Sequence, residues 1–298
     1  MEIGRLLTAM VTPFDENGAV DYAQAQRLAL ALLDSGSDGV VLAGTTGESP
    51  TLSHEEKMRL FSEVKGAIGP RGAVVAGTGT YNTSESVELS REAERLGVDG
   101  LLLTCPYYNK PSQDGLYRHF ETIARAVSLP CIIYNIPSRT GVNMTADTQV
   151  RLAQIDNMLG VKEASGDLAQ IAQIIEEARA GFRVWSGDDQ MTLPILAIGG
   201  YGVISVISHL AGSQMRQIVQ SYLSGNVDDS ARIHRRLLPL MTVVMTATGS
   251  PPGVKCALNA VGFRVGLPRL PLVEPDGEAA ERISAELRRQ RIDLAVAV

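Results

Sequence analysis

Eight short apolar runs, spaced by segments of helical period, constrain this 298-residue chain more than any other feature. The runs are LLTAMVTP (6–13), GVVLAG (39–44), AVVAGTG (73–79), GLLLTCP (100–106), CIIYNIP (131–137), LGVKEA (159–164), FRVWSG (182–187) and GVISVI (202–207). Between them lie amphipathic segments such as 21–36, 53–69, 84–97 and 169–180. In the second of these, Ser53 followed by Glu56 forms a capping box that opens a helix. Strands alternating with helices imply parallel pairing through right-handed crossovers. The runs are continuously apolar, as strands covered on both faces must be. Eight units close into a (β/α)8 TIM barrel, whereas an open doubly wound sheet would want a phosphate-binding glycine turn after its first strand. MVTPFDENG is no such turn. The alternation stops near Gly225 and the remainder reads as helices, so the expected division is a catalytic barrel over 1–225 and a C-terminal helical region over 226–298.

Charge and cysteine usage remove several function classes. The net charge of −6 gives no basic footprint for nucleic acid. Cys105, Cys131 and Cys256 are an odd count without a C-x-x-C, which fits a reducing cytoplasm better than a disulfide framework or a thiolate metal site. The four histidines (His54, His119, His209, His234) include no H-x-x-x-H pair, so no metal site is expected. The first residues are too briefly apolar for a signal peptide, and no run reaches the roughly 18 to 20 apolar residues of a membrane span. A soluble, cytoplasmic protein is the expectation.

In a barrel of this kind the chemistry lies at the C-terminal ends of the strands. There strand two delivers Gly44-Thr45-Thr46-Gly47-Glu48-Ser49, strand four Tyr107-Tyr108-Asn109, strand five Tyr134 and then Pro137-Ser138-Arg139-Thr140-Gly141. Strand six delivers Lys162, strand seven Ser186-Gly187-Asp188-Asp189, and strand eight contains Ile204. Each has an ordinary reading: Lys162 snorkels or pairs with an acid, Tyr134 fills core, Thr45-Thr46 make a turn, and Arg139 is a solvated loop charge. Glu163 should face the helices, so it is not the obvious partner of Lys162. One functional reading covers them all. A lysine whose proton affinity is lowered by an apolar barrel condenses with a ketone, and the resulting imine makes the adjacent methyl a nucleophilic enamine. Tyr and Thr hydroxyls relay protons without adding charge, backbone N–H groups of the Gly-Thr-Thr-Gly turn anchor a carboxylate, and an arginine matches a second anionic substrate. The P-loop, dinucleotide, G-x-S-x-G and metal motifs are missing from the sequence.

Gly44-Thr45-Thr46-Gly47-Glu48-Ser49, Tyr107-Tyr108-Asn109, Tyr134-Asn135-Ile136-Pro137-Ser138-Arg139-Thr140-Gly141 and Lys162-Glu163-Ala164 together resemble the dihydrodipicolinate synthase family of pyruvate-dependent class I aldolases. The resemblance runs from the Thr-Pro-Phe near the start to Arg-Leu-Pro at 269–271. It implies a lyase that condenses pyruvate with L-aspartate-4-semialdehyde in lysine and diaminopimelate biosynthesis. By the same resemblance Lys162 forms the Schiff base, and Tyr134, Thr45 and Tyr108 make the hydroxyl relay, with Tyr108 lent across a dimer interface. Thr46 anchors the pyruvate carboxylate, Arg139 meets the semialdehyde carboxylate, and Gly187 and Ile204 make backbone contacts near the lysine. It further implies a homotetramer built as a dimer of dimers, with no cofactor beyond the covalent lysine–pyruvate adduct.

Ser49, His54, Glu85 and Tyr107 match the family's lysine-effector pocket, but Pro50, Lys57 and Tyr81 depart from it. A cationic Lys57 would repel lysine, so feedback inhibition is expected to be weak or absent. Thr248-Gly249-Ser250-Pro251-Pro252 replaces a more usual Asn-Pro turn, and its place in the helical region ties it to assembly rather than chemistry. The alternatives are an aldolase for 2-keto-3-deoxy sugar acids or N-acetylneuraminate using the same lysine, against which Arg139 weighs, and a non-catalytic binding barrel.

Overall fold

Leu6–Ala9 (β1), Gly39–Leu42 (β2), Ala73–Gly77 (β3), Gly100–Thr104 (β4), Cys131–Asn135 (β5), Met158–Glu163 (β6), Arg183–Ser186 (β7) and Gly202–Ser205 (β8) are parallel strands paired in chain order. The last pairs with the first, Leu7 opposite Ile204, so the sheet closes into a barrel. The structure is a computed structural model and describes residues 2–247 and 249–295.

The outer ring consists of Tyr22–Asp34 (α1), His54–Ile68 (α2), Thr83–Arg95 (α3), Gln113–Arg125 (α4), a helical turn at Pro137–Thr140 (α5), Ala146–Leu152 (α6), Leu168–Glu177 (α7), Thr192–Ala197 (α8) and Ser208–Leu223 (α9). The capping box at Ser53 forms with both of its hydrogen bonds. Val227–Thr246 (α10), Pro252–Ala260 (α11) and Gly277–Leu287 (α12) follow without a strand, α10 packing along α9 and α11 and α12 packing on α10.

Strand alternation divides the core into two layers. Leu7, Val41, Val75, Leu102, Ile132 and Trp185 fill the barrel interior. Leu6, Val40, Val74, Leu101, Ile133 and Val161 face the helices, in a cluster that Leu237, Leu240 and Val254 of the C-terminal helices join.

Seven of the eight runs form strands shorter than the run, and two show why. The first stops at Ala9, because the next residues leave the sheet: Val11 N–H donates to His209 Nε2 at 3.1 Å, and Thr12 Oγ1 donates to Gly47 C=O at 2.6 Å. The fifth stops at Asn135, because Pro137 has no N–H for the ladder and opens α5 instead.

Candidate active site

Lys162 lies near the C-terminal end of β6, register-paired with Tyr134 on one side and Trp185 on the other. Side chains two apart on a strand share a face, so the same pleat that buries Val161 outward turns Lys162 into the barrel. The side chain is 5% exposed, with its Nζ 4.2 Å from the centroid of the Tyr134 ring. Among the described residues it makes no hydrogen bond or ion pair. Burial pulls its proton affinity down, from 10.5 to about 8; the Asp189 carboxylate opposes that fall and the Arg139 charge adds to it. Glu163 points the other way, as the strand period requires, where Asn135, Gln149 and the Ser165 N–H hydrogen-bond its buried carboxylate.

Tyr134 is buried, which pushes its phenol up to about 12, with the Arg139 charge and a hydrogen bond to Thr45 working against that rise. It therefore stays a neutral donor and acceptor. Thr45 and Thr46 occupy the turn after β2, which is closed by Glu48 N–H to Thr45 C=O at 3.1 Å and Ser49 N–H to Gly44 C=O at 3.3 Å. The Thr45 and Thr46 amides find no acceptor in the described residues, so both N–H groups remain for an anion. Thr45, Tyr107 and Arg139 line one cavity of about 220 Å³. Larger hollows lie around Arg5 and Tyr201, at the N-terminal ends of the strands and away from this lysine.

Gly187 follows β7 beside the lysine stem. A Cβ there would lie 2.8 Å from Ala164 Cβ and 3.2 Å from Lys162 Cγ, so a side chain has no room. Ile204 lies in the interior layer, 1% exposed. Arg139 stands at the rim on α5, where its Nη2 donates to Ser250 C=O at 3.1 Å.

That last contact corrects the expectation that the 248–252 turn concerns assembly and not chemistry. Ser250 is buried, and its Oγ lies 3.3 Å from Thr46 Oγ1 while its carbonyl holds Arg139. A segment more than a hundred residues downstream thus stands between the two groups suited to carboxylates; Thr248 itself lies outside the described residues. No local pattern could have shown this, because the contact is purely tertiary. Asp189 was also missed as a participant. Buried beyond β7, it accepts from Ser205 Oγ, Val206 N–H at 2.9 Å and Ile207 N–H at 3.1 Å, so it ties β7 to β8. An acid directly after a barrel strand was its sequence signal.

Tyr108 is not brought into this cluster. It is 90% exposed with φ +69°, a conformation that costs a bulky residue energy. The effector candidates gather only in part. Tyr81 and Tyr107 meet edge to face at 5.1 Å, and Ser49 and Tyr107 share the cavity with Thr45. Lys57 is buried, which lowers its proton affinity, and the nearby Glu85 charge opposes that fall without cancelling it. His54 turns outward to Glu92 at 2.8 Å. No cluster of three or more His, Cys, Asp and Glu among the described residues is placed to hold a metal, and no described helix is long and apolar enough to cross a membrane.

Comparison with known proteins gives a consistent result. A family model described as the dihydrodipicolinate synthetase family matches residues 2–290. A 4-hydroxy-tetrahydrodipicolinate synthase of Dehalococcoides mccartyi is 56% identical over 295 residues, covering 99% of both chains. One from Moorella thermoacetica is 57% identical over 288 residues, covering 97% of this chain and 98% of its own. Among solved structures, a dihydrodipicolinate synthase of Bacillus anthracis superposes with a TM-score of 0.95 at 41% identity, covering 97% of this chain and 99% of the other.

Proposed function

The chain belongs to the dihydrodipicolinate synthetase family, and from that premise we propose that it condenses pyruvate with L-aspartate-4-semialdehyde to 4-hydroxy-tetrahydrodipicolinate. The observation that carries the mechanism is a buried lysine without an ion pair among the described residues, turned into the barrel against a tyrosine ring. Neutral Lys162 attacks the pyruvate ketone, and the carbinolamine takes a proton delivered through the hydroxyls onto its OH and loses water to leave a protonated imine. Loss of a methyl proton gives the enamine, which attacks the semialdehyde carbon. The amino group of the adduct then displaces the lysine as the ring closes.

Tyr134 and Thr45 move the protons, and Tyr108 of a second copy completes the relay. A tyrosine held exposed at some conformational cost fits a residue that works in a neighbour's site. Thr46 and the free amides of its turn hold the pyruvate carboxylate, Arg139 takes the carboxylate of the semialdehyde, and Gly187 and Ile204 leave room beside the imine. The lysine is itself the electron sink, so these steps call for no metal or organic cofactor. The proposed assembly is a homotetramer of two dimers in the cytoplasm, each chain divided into a barrel (1–225) and a helical region (226–298).

Borohydride added with pyruvate should fix a covalent adduct on Lys162, and consumption of pyruvate should depend on aspartate semialdehyde. Both should vanish in Lys162→Ala. An adduct without semialdehyde-dependent turnover would move the substrate assignment to sugar acids, and no adduct at all would leave a binding barrel. Mixing Lys162→Ala with Tyr108→Phe chains tests the shared relay: hybrid dimers should recover turnover that neither variant shows alone.

A further inference from the structure

Behind the Thr45–Thr46 turn lies a charge cluster that the proposed chemistry does not use. Glu48 closes the turn in the left-handed region, with φ +58° and ψ +37°, and its side chain is 0% exposed. Its Oε1 lies 2.6 Å from Nζ of Lys255 on α11, itself 1% exposed. No other group hydrogen-bonds that oxygen among the described residues, so Lys255 is its compensation. The second oxygen accepts from Arg269 N–H at 2.9 Å. Lys255 Nζ also donates to Leu267 C=O at 3.1 Å and lies 3.9 Å from the centre of the Phe14 ring.

A solvent-exposed carboxylate would have served solubility as well, and a buried ion pair adds little to stability over apolar residues of the same shape. What such a pair does supply is geometry, because neither charge tolerates separation from the other. Here it joins two segments more than two hundred residues apart. The turn's other restraints are its two internal backbone bonds, the Thr51 N–H and hydroxyl on Glu48 C=O, the Arg269 N–H on Glu48 at 2.9 Å, the Thr12 hydroxyl on Gly47 C=O at 2.6 Å, and Ser250 on Thr46. Ser250 stands at the entry to α11, so one short stretch of the helical region grips the turn at both its threonine and its glutamate. Burial pulls Lys255 down to about 8 with Glu48 opposing, which keeps the ammonium charged at neutral pH.

We propose that Lys255 is a positioning residue for the reaction: through its ion pair with Glu48 it holds the Thr45–Thr46 turn in register with Lys162. The proposal rests on the assignment of that turn to pyruvate. The C-terminal helical region is then a working part of the site, although it supplies no reacting group.

The test compares the native protein with Lys255→Met, with Glu48→Gln/Lys255→Met, which leaves no buried charge unpaired, and with Glu48→Asp, which keeps the pair but draws the turn back by one methylene. Three quantities are read: the thermal midpoint, the rate of borohydride-trapped pyruvate adduct, and the KM for aspartate semialdehyde. A displacement of about 1 Å costs up to about a hundredfold in rate. The double variant should therefore melt near the native protein yet trap pyruvate at least about tenfold more slowly, with the semialdehyde KM unchanged. A double variant that folds and traps pyruvate at the native rate overturns the proposal, and so does one whose activity loss only tracks its loss of stability. Should the double variant not fold, Glu48→Asp decides: slow trapping at a native midpoint supports positioning, native trapping refutes it. Absence of any adduct on the native protein would instead strike at the pyruvate assignment.

Discussion

Replacing Lys162 by Met should stabilise the protein while abolishing its chemistry. The side chain is 5% exposed, and its ammonium has no carboxylate within ion-pair reach among the described residues. Its fall from 10.5 to about 8 corresponds to about 3 kcal/mol at 1.36 kcal/mol per pH unit. At pH 7 both folded and unfolded chains hold the proton, so the folded state carries that whole cost. As pH rises past about 8 the folded state releases the proton while the unfolded chain keeps it to 10.5, so native stability grows across that window. Methionine keeps the stem and removes the charge. The variant should gain about 3 kcal/mol at pH 7, or about 5 °C in Tm for a chain of this length. By about pH 9.5 the gain should shrink to about half. Urea and thermal unfolding at the two pH values measure it. A variant no more stable than the native protein at pH 7, or one whose advantage is as large at the higher pH, would refute the view that a buried, unpaired ammonium is held at this site.

The rate of pyruvate trapping should rise about tenfold per pH unit below about 8 and level off above it, since only the neutral amine attacks; a flat profile from pH 6 to 9 would contradict that. Gly187→Ala should lose most of the turnover and about 1–3 kcal/mol of stability, because the new methyl meets Ala164 Cβ at 2.8 Å and the Lys162 stem at 3.2 Å; native kinetics in this variant would show that the loop yields. Lysine at millimolar concentration should leave turnover unchanged, because buried Lys57 already faces Glu85; inhibition below a millimolar would overturn this. Arg139→Ala should raise the semialdehyde KM far more than it slows pyruvate trapping, which loses only the help the Arg139 charge gives the neutral amine, and an equal loss in both assays would count against its role at the second substrate.

The barrel was legible because its signals are local and redundant: a short apolar run is read in a few residues, and eight of them leave few closed topologies. Lys162 was legible for the same reason, since a lysine after Val161 in such a run is a local anomaly whose inward direction follows from strand period. The 248–252 turn was misread because its meaning is tertiary. Nothing near Ser250 in the sequence says that its hydroxyl meets Thr46 or that its carbonyl meets Arg139. Glu48 stood within a motif already quoted, yet its pairing with Lys255 joins segments whose separation no periodicity reports. Tyr108 shows the opposite case: the resemblance implies a place in the hydroxyl relay, but within one chain Tyr108 faces solvent.

The charges around Lys162 answer two demands that pull in opposite directions. Attack on a ketone needs a neutral amine, and both burial and the Arg139 charge favour that form. The imine that follows is a cation in the same place, and a site that merely repelled positive charge would oppose it. Asp189 supplies the counter-field. Burial raises its proton affinity, while hydrogen bonds from the Ser205 hydroxyl and two backbone N–H groups tie the carboxylate down and work against that rise. Because those donors hold Asp189 to β8, it cannot swing over to neutralise Lys162 by direct contact. The amine is left reactive while the later cation still finds a fixed negative charge nearby. In the proposed reaction Arg139 would exchange its hydrogen bond with Ser250 C=O for the carboxylate of the second substrate, at the stage when the enamine is ready to attack.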